Sequence, residues 1–369
     1  MSKINIQTLT PVHVGSGNLL QYNYDFVITK NLSRDEVYLR VLDDKKMLDL
    51  IGVEHLQDWM ICIEREKDTK EMIKRFAPDA KPVDYSKRRI ISCVKGINDT
   101  DSLKECIHDG RGIAYIPGSS IKGAIRTAIV ASLAKNIPDV ESFLARFVSA
   151  SKVEKYLFGD DPQKDVFKYI RVGDSFFQSD CEIAMRMISL NITGKDSLID
   201  KSKSQLIEAI GTEEESSFDL TIDVDKYRFA KSRNPNAVGE LREEFASVTN
   251  LFYLINQHTR GLVEEEIKRW TEQDKTGAAT YVDNMKQILD SVNSCNEGRE
   301  CILRIGYASG WRFTTGAWTE SLQEEFFYST VVPKSRPRNE RYEEYIFPKT
   351  RRIDSDSDLL GFVKLSVAE

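Results

Sequence analysis

The sequence predicts a mixed fold of strands and helices, in which a β-rich core carries an inserted helical lobe. Three observations support this. Alternating apolar residues recur near both chain ends and in the middle, an apolar helical stripe runs between Tyr115 and Lys135, and a long block of mixed charge at helical spacing occupies Val238 to Val292. The chain has 369 residues, 41% hydrophobic and 30% charged, with 20 Gly and 10 Pro, which excludes disordered, collagenous and low-complexity classes. Two packed lobes, or one core with large insertions, suits that length.

Lys3 to Thr10 reads as the first strand, with Ile4 and Ile6 alternating against polar neighbours until Pro11. Val12 to Asn18, V-H-V-G-S-G-N, reads as a glycine-bearing loop. Asp25–Thr29 and Glu36–Leu42 read as strands joined by the polar turn KNLSRD. Asp43 to Phe76 has helical spacing, Pro78 and Pro82 end it, and Arg89 to Val94 resumes strand character. In Tyr115 to Lys135, Y-I-P-G-S-S-I-K-G-A-I-R-T-A-I-V-A-S-L-A-K, Pro117 and Gly118 make a turn and Ser119 or Ser120 caps a helix. Ile121, Ala124, Ile125, Ala128, Ile129 and Leu133 form its buried stripe. Lys122 and Arg126 fall one turn apart near the helix start, where the macrodipole disfavours cations, so an anion is expected there. Gly118 and Gly123 would let a phosphate-bearing backbone approach.

Val166–Val172, Glu182–Leu190 and Phe218–Val224 read as further strands. Val238–Gln273, interrupted at Gly261, and Ala278–Val292 read as the helical lobe. Cys301 to Trp318, C-I-L-R-I-G-Y-A-S-G-W-R-F-T-T-G-A-W, runs from a short apolar strand into a loop with Gly306, Gly310 and Gly316. That loop interleaves Tyr307, Trp311, Phe313 and Trp318 with Arg304 and Arg312, a composition able to touch an extended ligand and stack on bases. Pro333 to Ile353 holds seven Lys or Arg against three Glu and reads as a loop kept from helix by three prolines. Gly361–Val367 reads as the closing strand after the polar loop Asp354–Asp358.

Several chemistries are excluded. Asp354, Asp356 and Asp358 begin like a calcium loop, but Leu359 and Leu365 stand where Gly and Glu are required. Neither phosphate-loop nor dinucleotide glycine spacing occurs, nor does the RNP1 pattern of ordinary RNA-recognition motifs. Cys62, Cys93, Cys106, Cys181, Cys295 and Cys301 are scattered, which suits reduced thiols rather than a disulfide framework or zinc site. Four histidines without metal-ligand spacing make a histidine-built metal centre improbable. No apolar run has membrane-spanning length, and the N-terminus has no apolar signal region, so a cytoplasmic protein is expected. Net charge is −6, so any polyanion would meet a patch rather than a uniformly basic surface. Basic residues gather at Lys87–Arg89, Lys226–Arg233 and after Lys334.

T-P-V-H-V-G-S-G near the start, Y-I-P-G-S-S-I-K-G-A-I-R in the first third and L-R-I-G-Y-A-S-G-W in the last, in that order, resemble the RAMP superfamily of CRISPR-associated RNA-binding proteins. F-P-K-T-R-R-I, Phe347 to Ile353, and the final G-F-V-K-L resemble the type III-A (Csm) effector subunit at the 3′ end of the guide RNA. These motifs cover about a fifth of the chain. The resemblance implies an α+β fold with a ferredoxin-like (RRM-like) core and helical insertions. Residues 1–235 would form the core with inserted helices and 236–298 the helical lobe, while 299–369 would return to the core. It also implies a non-catalytic subunit that binds crRNA, caps the filament of RAMP backbone subunits and assists crRNA maturation in antiviral defence. Target RNA would be met through the assembled complex, trimming nucleases are conceivable partners, and no cofactor, metal or membrane is implied.

Carried over by motif, the RNA-contacting candidates are His13, Gly15 and Gly17, then Gly118, Ser119, Ser120, Lys122 and Arg126. The glycine-rich loop adds Gly306, Gly310, Trp311 and Arg312, and the basic motif adds Lys349, Arg351 and Arg352. Rival readings are a metal-independent endoribonuclease using His13, a type III-B RAMP backbone subunit, and a protein-binding adaptor built on the acidic helical block. A catalytic His13 lacks an identifiable second member, and a neutral His13 hydrogen-bonded to the loop backbone fits better. Asp25 lies in strand-like Y-N-Y-D-F-V-I and receives no catalytic role.

Overall fold

The computed structural model describes residues 1–368 apart from 32, 66–68, 95, 148–149, 195–196, 237, 274–276 and 336–346. The middle of the late basic segment therefore lies outside the described residues. In chain order the strands are β1 (Ser2–Thr8), β2 (Gly15–Gln21), β3 (Phe26–Asn31), β4 (Glu36–Leu42), β5 (Ser86–Ser92), β6 (Ser102–Cys106), β7 (Tyr115–Ile116), β8 (Ile170–Val172), β9 (Ser175–Phe176), β10 (Glu182–Asn191), β11 (Ile199–Ile210), β12 (Glu215–Ile222), β13 (Glu300–Arg304), β14 (Thr350–Asp354) and β15 (Phe362–Val367). The helices are α1 (Asp44–Ile51), α2 (Leu56–Arg65), α3 (Thr69–Phe76), α4 (Pro82–Tyr85), α5 (Gly118–Ala134), α6 (Val140–Phe147), α7 (Ala150–Phe158), α8 (Val224–Arg233), α9 (Val248–Thr271) and α10 (Ala278–Asn293).

The first sheet has the order β13-β15-β1-β12-β8, antiparallel throughout. Period-two alternation sends Ile4 and Ile6 of β1 inward with Phe218, Leu220, Val363 and Leu365, and leaves Lys3 and Asn5 outside. Helices α5 and α9 cover that apolar face through Ile121, Ile125, Ile129, Leu251 and Ile255. The second sheet runs β2-β6-β11-β10-β5-β4-β3, with β14 beside β10. Its β3–β4 end is capped by α1 to α3, which enclose Val27, Leu42, Met47 and Met72 in a separate cluster.

The fold is mixed α+β, and most of the expected elements form. The expected strand at Val166–Val172 is instead a 3-10 turn over Val166–Tyr169, followed by the short β8. β2, β6, β11, β14 and α8 were not expected as such. The first half of β11 is polar and β14 carries two arginines, so neither presents a plain apolar alternation. Gly261 does not interrupt α9, because the roughly 1 kcal/mol helix cost of Gly is offset by packing on both sheets. Nor is the helical block set apart from the core, since Leu251, Phe252 and Ile255 share a cluster with Ile4 and Ile6. All six cysteines are free thiols. No helix among the described residues is long and apolar enough to cross a membrane.

Candidate nucleic-acid interface

The first glycine loop and the glycine-rich loop meet where β1 leads toward β2. Val12 bridges to Ile210, and the next carbonyl, that of His13, accepts the Tyr307 amide at 2.8 Å. Gly306 makes this approach possible. It has φ +82°, and a Cβ there would stand 2.5 Å from the His13 oxygen. Tyr307 is 39% exposed, its hydroxyl donates to Gln205 at 3.0 Å, and Lys104 Nζ lies 4.7 Å from its ring centre. Beside it the backbone of Gly15 and Gly17 is exposed, while Ser16 and Asn18 are tied to Glu105 at 3.1 and 2.9 Å. The junction therefore offers open backbone, one aromatic edge and one ammonium.

His13 itself is buried, contrary to its expected place on the ligand. Its ring stands edge-on to Tyr307 at 5.6 Å, and Nδ1 lies 2.6 Å from the Glu208 carbonyl oxygen. Burial pushes its pKa below the usual histidine value, although the carbonyl contact acts in the opposite sense. A neutral ring donating from Nδ1 to that carbonyl anchors the loop and leaves no exposed base.

At the second motif, α5 begins at Gly118 with Pro117 as its N-cap, so Ser119 and Ser120 lie in the first turn and do not cap. The Gly118 amide donates to Asp174 Oδ1 at 2.7 Å, and a Cβ on Gly118 would come within 2.2 Å of the Val172 oxygen. Gly118 thus serves close packing of helix on strand and is buried from any ligand. Arg126 pairs with Glu154 at 2.5 Å and Asp165 at 2.9 Å, with its guanidinium 4.4 and 4.7 Å from the Phe158 and Phe167 ring centres. Lys122 donates to the Phe167 carbonyl at 2.8 Å; burial lowers its pKa, against the pull of Asp165. The anion expected at this helix start is thus supplied by the protein's own carboxylates, which corrects the expectation for Arg126. Ser119 remains exposed and Ser120 half-buried.

The arginines of the third and fourth motifs turn inward. Glu266 on α9 is fully buried and receives Arg351 at 2.6 Å on both oxygens and Arg312 Nη1 at 2.7 Å, together with the Tyr281 hydroxyl at 2.7 Å and the Trp270 indole at 3.2 Å. Burial would raise the Glu266 pKa, but the charge of Arg351, then of Arg312, holds it well below the usual carboxylate range. Arg312 also pairs with Glu320. The expectation that Arg312 and Arg351 contact RNA is therefore corrected, because a desolvated carboxylate already claims both. Trp311 packs at 4.9 Å against Phe347, whereas a Cβ on Gly310, at φ +83°, would meet nothing within 4 Å. Arg352 donates to Ser189 at 2.9 Å and is half-buried, and Lys349 is exposed. Thr315 of the glycine-rich loop bonds Thr127 of α5 at 2.9 Å, so this loop links the first motif, the second and, through Glu266, the fourth.

Sequence reading missed Lys104, Gln205 and an ionic cluster beneath the first loop. There Arg88 forks onto Glu208 at 2.9 Å and reaches Glu105 at 3.2 Å, and His108 stands 3.2 Å from Glu182. His108, Glu182 and Glu208 offer ligand atoms within 4.8 Å of one another, a set with a metal-like composition. Arg88 already supplies the positive charge, so these donors fit an ion-pair network better than a cation site. Strand pairing alone brings these distant residues together, and no local signal marks them.

Residues 5–369 match the family model of the RAMP superfamily. The chain is 30% identical over 186 residues to the CRISPR system Cms protein Csm5 of Methanocaldococcus jannaschii, across 47% of this chain and 42% of that one. The like-named protein of Enterococcus italicus is 30% identical over 153 residues, across 34% of this chain and 42% of that one. The alignments thus span well under half the length of these curated relatives. A chain of the cryo-EM structure of a Csm-crRNA-target RNA ternary complex in a type III-A CRISPR-Cas system superposes with TM-score 0.74 at 21% identity, covering 99% of this chain and 100% of that one. The crystal structure of T. onnurineus Csm5 superposes with TM-score 0.65 at 20% identity, covering 97% and 99%. At such identities the likeness is one of fold.

Proposed function

The chain belongs to the RAMP superfamily, and from that premise we propose that it is a non-catalytic, crRNA-binding subunit of a type III-A CRISPR effector complex, capping the backbone filament at the crRNA 3′ end and assisting crRNA maturation. The names of its relatives support this, as does the ternary complex in which a structural neighbour was solved. We read the sheet order β15-β1-β12-β8, connected through α5 and α9, as the ferredoxin-like core of such a subunit. Partners on this reading are crRNA, target RNA through the complex, neighbouring RAMP backbone subunits and guide-trimming nucleases, in the cytoplasm.

The observation that carries the reading is the junction of two glycine loops at His13 and Gly306. It leaves the backbone of Gly15, Gly17 and Gly310 accessible beside Lys104 and Tyr307. Exposed glycine backbone and an ammonium hold a sugar-phosphate chain without reading its bases, as a subunit accepting any guide must. The buried, carbonyl-bound His13 supports the non-catalytic reading. The test is to crosslink the subunit within its native assembly and sequence the attached RNA. We expect the 3′ portion of crRNAs, less of it with Lys104→Ala/Tyr307→Ala. Attachment to other RNA, or cleavage of RNA by the purified protein in a His13-dependent way, would overturn the reading.

A further inference from the structure

Helix α8 contains no buried residue. Helices in proteins draw most of their stability from packing an apolar face, and this one turns only the half-buried Val224 and Tyr227 toward the first core, so it leans heavily on its ends. Asp223 caps it by accepting the Lys226 amide at 3.2 Å, and Tyr227 stands edge-on to Tyr169 at 5.8 Å. Its surface carries the exposed Lys226, Arg228 and Arg233 and the half-buried Lys231, whose Nζ donates to the Pro235 carbonyl at 2.9 Å, against Asp225 and Asp223, the latter paired with Lys226 at 2.9 Å. Among them Phe229 is 63% exposed, with the Arg233 guanidinium 5.3 Å from its ring centre.

This basic surface does not stop at the helix. Arg171, on the edge strand β8, has a side chain 60% exposed and adds a cation beside Asp223, and Lys168 lies over the Tyr169 ring at 5.3 Å. The 3-10 turn Val166–Tyr169 joins this patch to the start of α5. Lys122 donates to its Phe167 carbonyl at 2.8 Å, and its Tyr169 carbonyl accepts the Asp223 amide at 2.9 Å. A lone exposed Phe among guanidinium and ammonium groups is too small an apolar patch for a protein interface core, where lysine is depleted. It has the composition of a single-strand platform, in which a ring stacks one base and cations hold the flanking phosphates.

We propose that α8 and the adjoining edge of β8 form a further RNA-binding surface, where an unpaired base stacks on Phe229 and the flanking phosphates lie against Arg228, Lys231, Arg233 and Arg171. The proposal rests on the RNA-binding reading above for the identity of the polyanion.

Full-length protein is titrated against fluorescein-labelled oligoadenosine and, as a base-free polyanion, fluorescein-labelled inorganic polyphosphate. Because no α8 residue is buried, its substitutions are expected to leave the fold intact, which circular dichroism verifies. Phe229→Ala is expected to weaken oligoadenosine binding about tenfold and leave polyphosphate binding unchanged, with Phe229→Trp restoring it. Arg228→Ala/Lys231→Ala/Arg233→Ala is expected to weaken both, with a salt slope shallower by about 0.7 for each phosphate no longer neutralised. If wild type binds oligoadenosine and all variants match it in affinity and slope, this surface is overturned while RNA binding stands. Wild-type protein that binds neither probe also overturns it, and the crosslinking of native assemblies then judges the proposed function separately.

Discussion

Glu266 has no solvent contact, and its charge is balanced by Arg351 and Arg312. Removing one partner of such a group leaves an uncompensated charge in a low-dielectric interior. Arg351→Met is therefore expected to lower stability by about 3–5 kcal/mol, read from urea unfolding midpoints. Glu266→Leu/Arg312→Met/Arg351→Met, which removes Glu266 together with both of its arginines and leaves Glu320 paired with Arg269, should cost much less, and an equal or larger loss would show that the network itself stabilises the fold. A second residue-scale prediction concerns His258, which lines a cavity of about 580 Å³ between α5, α9 and residues 317–321. Burial, reinforced by the charge of Lys135, lowers its pKa to about 4, against 6.5 for a free histidine. Between those values the unfolded chain binds a proton that the folded chain does not, so stability falls as pH drops through this window and is fully retained above 6.5. The loss is on the order of 1–3 kcal/mol, and His258→Gln should flatten the difference between unfolding free energies at pH 7 and about pH 4. A slope unchanged by the substitution would assign the dependence to other groups.

At the scale of elements, α5 shows what sequence could and could not reveal. Its stripe of Ile121, Ile125 and Ile129 was legible because helical periodicity is local. The misplaced cations were legible too, but Glu154 and Asp165, which pair with Arg126, and Asp174, which accepts the Gly118 amide, arrive from later segments, so a missing anion was inferred where the fold provides one. Strand β2 escaped because its exposed G-S-G-N stretch reads as loop, and α8 because a helix that turns only Val224 and Tyr227 toward the core gives little periodic signal. Two substitutions test the α5 account by thermal denaturation. Asp174→Ala removes the carboxylate at the positive helix end and should cost about 1 kcal/mol. Gly118→Ala drives a Cβ toward the Val172 and Gly173 carbonyls, at 2.2 and 2.6 Å, where no rotamer change gives relief, so a loss of about 1–3 kcal/mol or more is expected. If Gly118→Ala were neutral, the close approach of α5 to β8 would not be required.

Across the whole molecule, both sheets are built from strands far apart in sequence. β1 pairs with β12 and β15, and β10 takes β14 beside β5. Helix α9 ties the two halves, packing Ile255 into the first core and Val263 and Trp270 into the second. Sequence periodicity cannot supply such pairings, which is why individual strands were more legible than the sheets they form. The segment from α1 to α4 differs, because Met47, Ile51, Met72 and Ile73 close a cluster of their own over Val27 and Leu42. It also leaves Val53 69% and Met60 55% exposed, so it buries little for its length. A unit attached mainly through one hairpin should open without unfolding the rest. In native-state hydrogen exchange of the full chain, amides of Met47–Ile51 and Met72–Phe76 should exchange with a free energy about 2 kcal/mol or more below those of Ile183–Ile188. Their exchange should also depend only weakly on denaturant, because a local opening exposes little surface. Exchange of both sets at one common free energy and denaturant slope would mean that the insert folds and unfolds together with the two sheets.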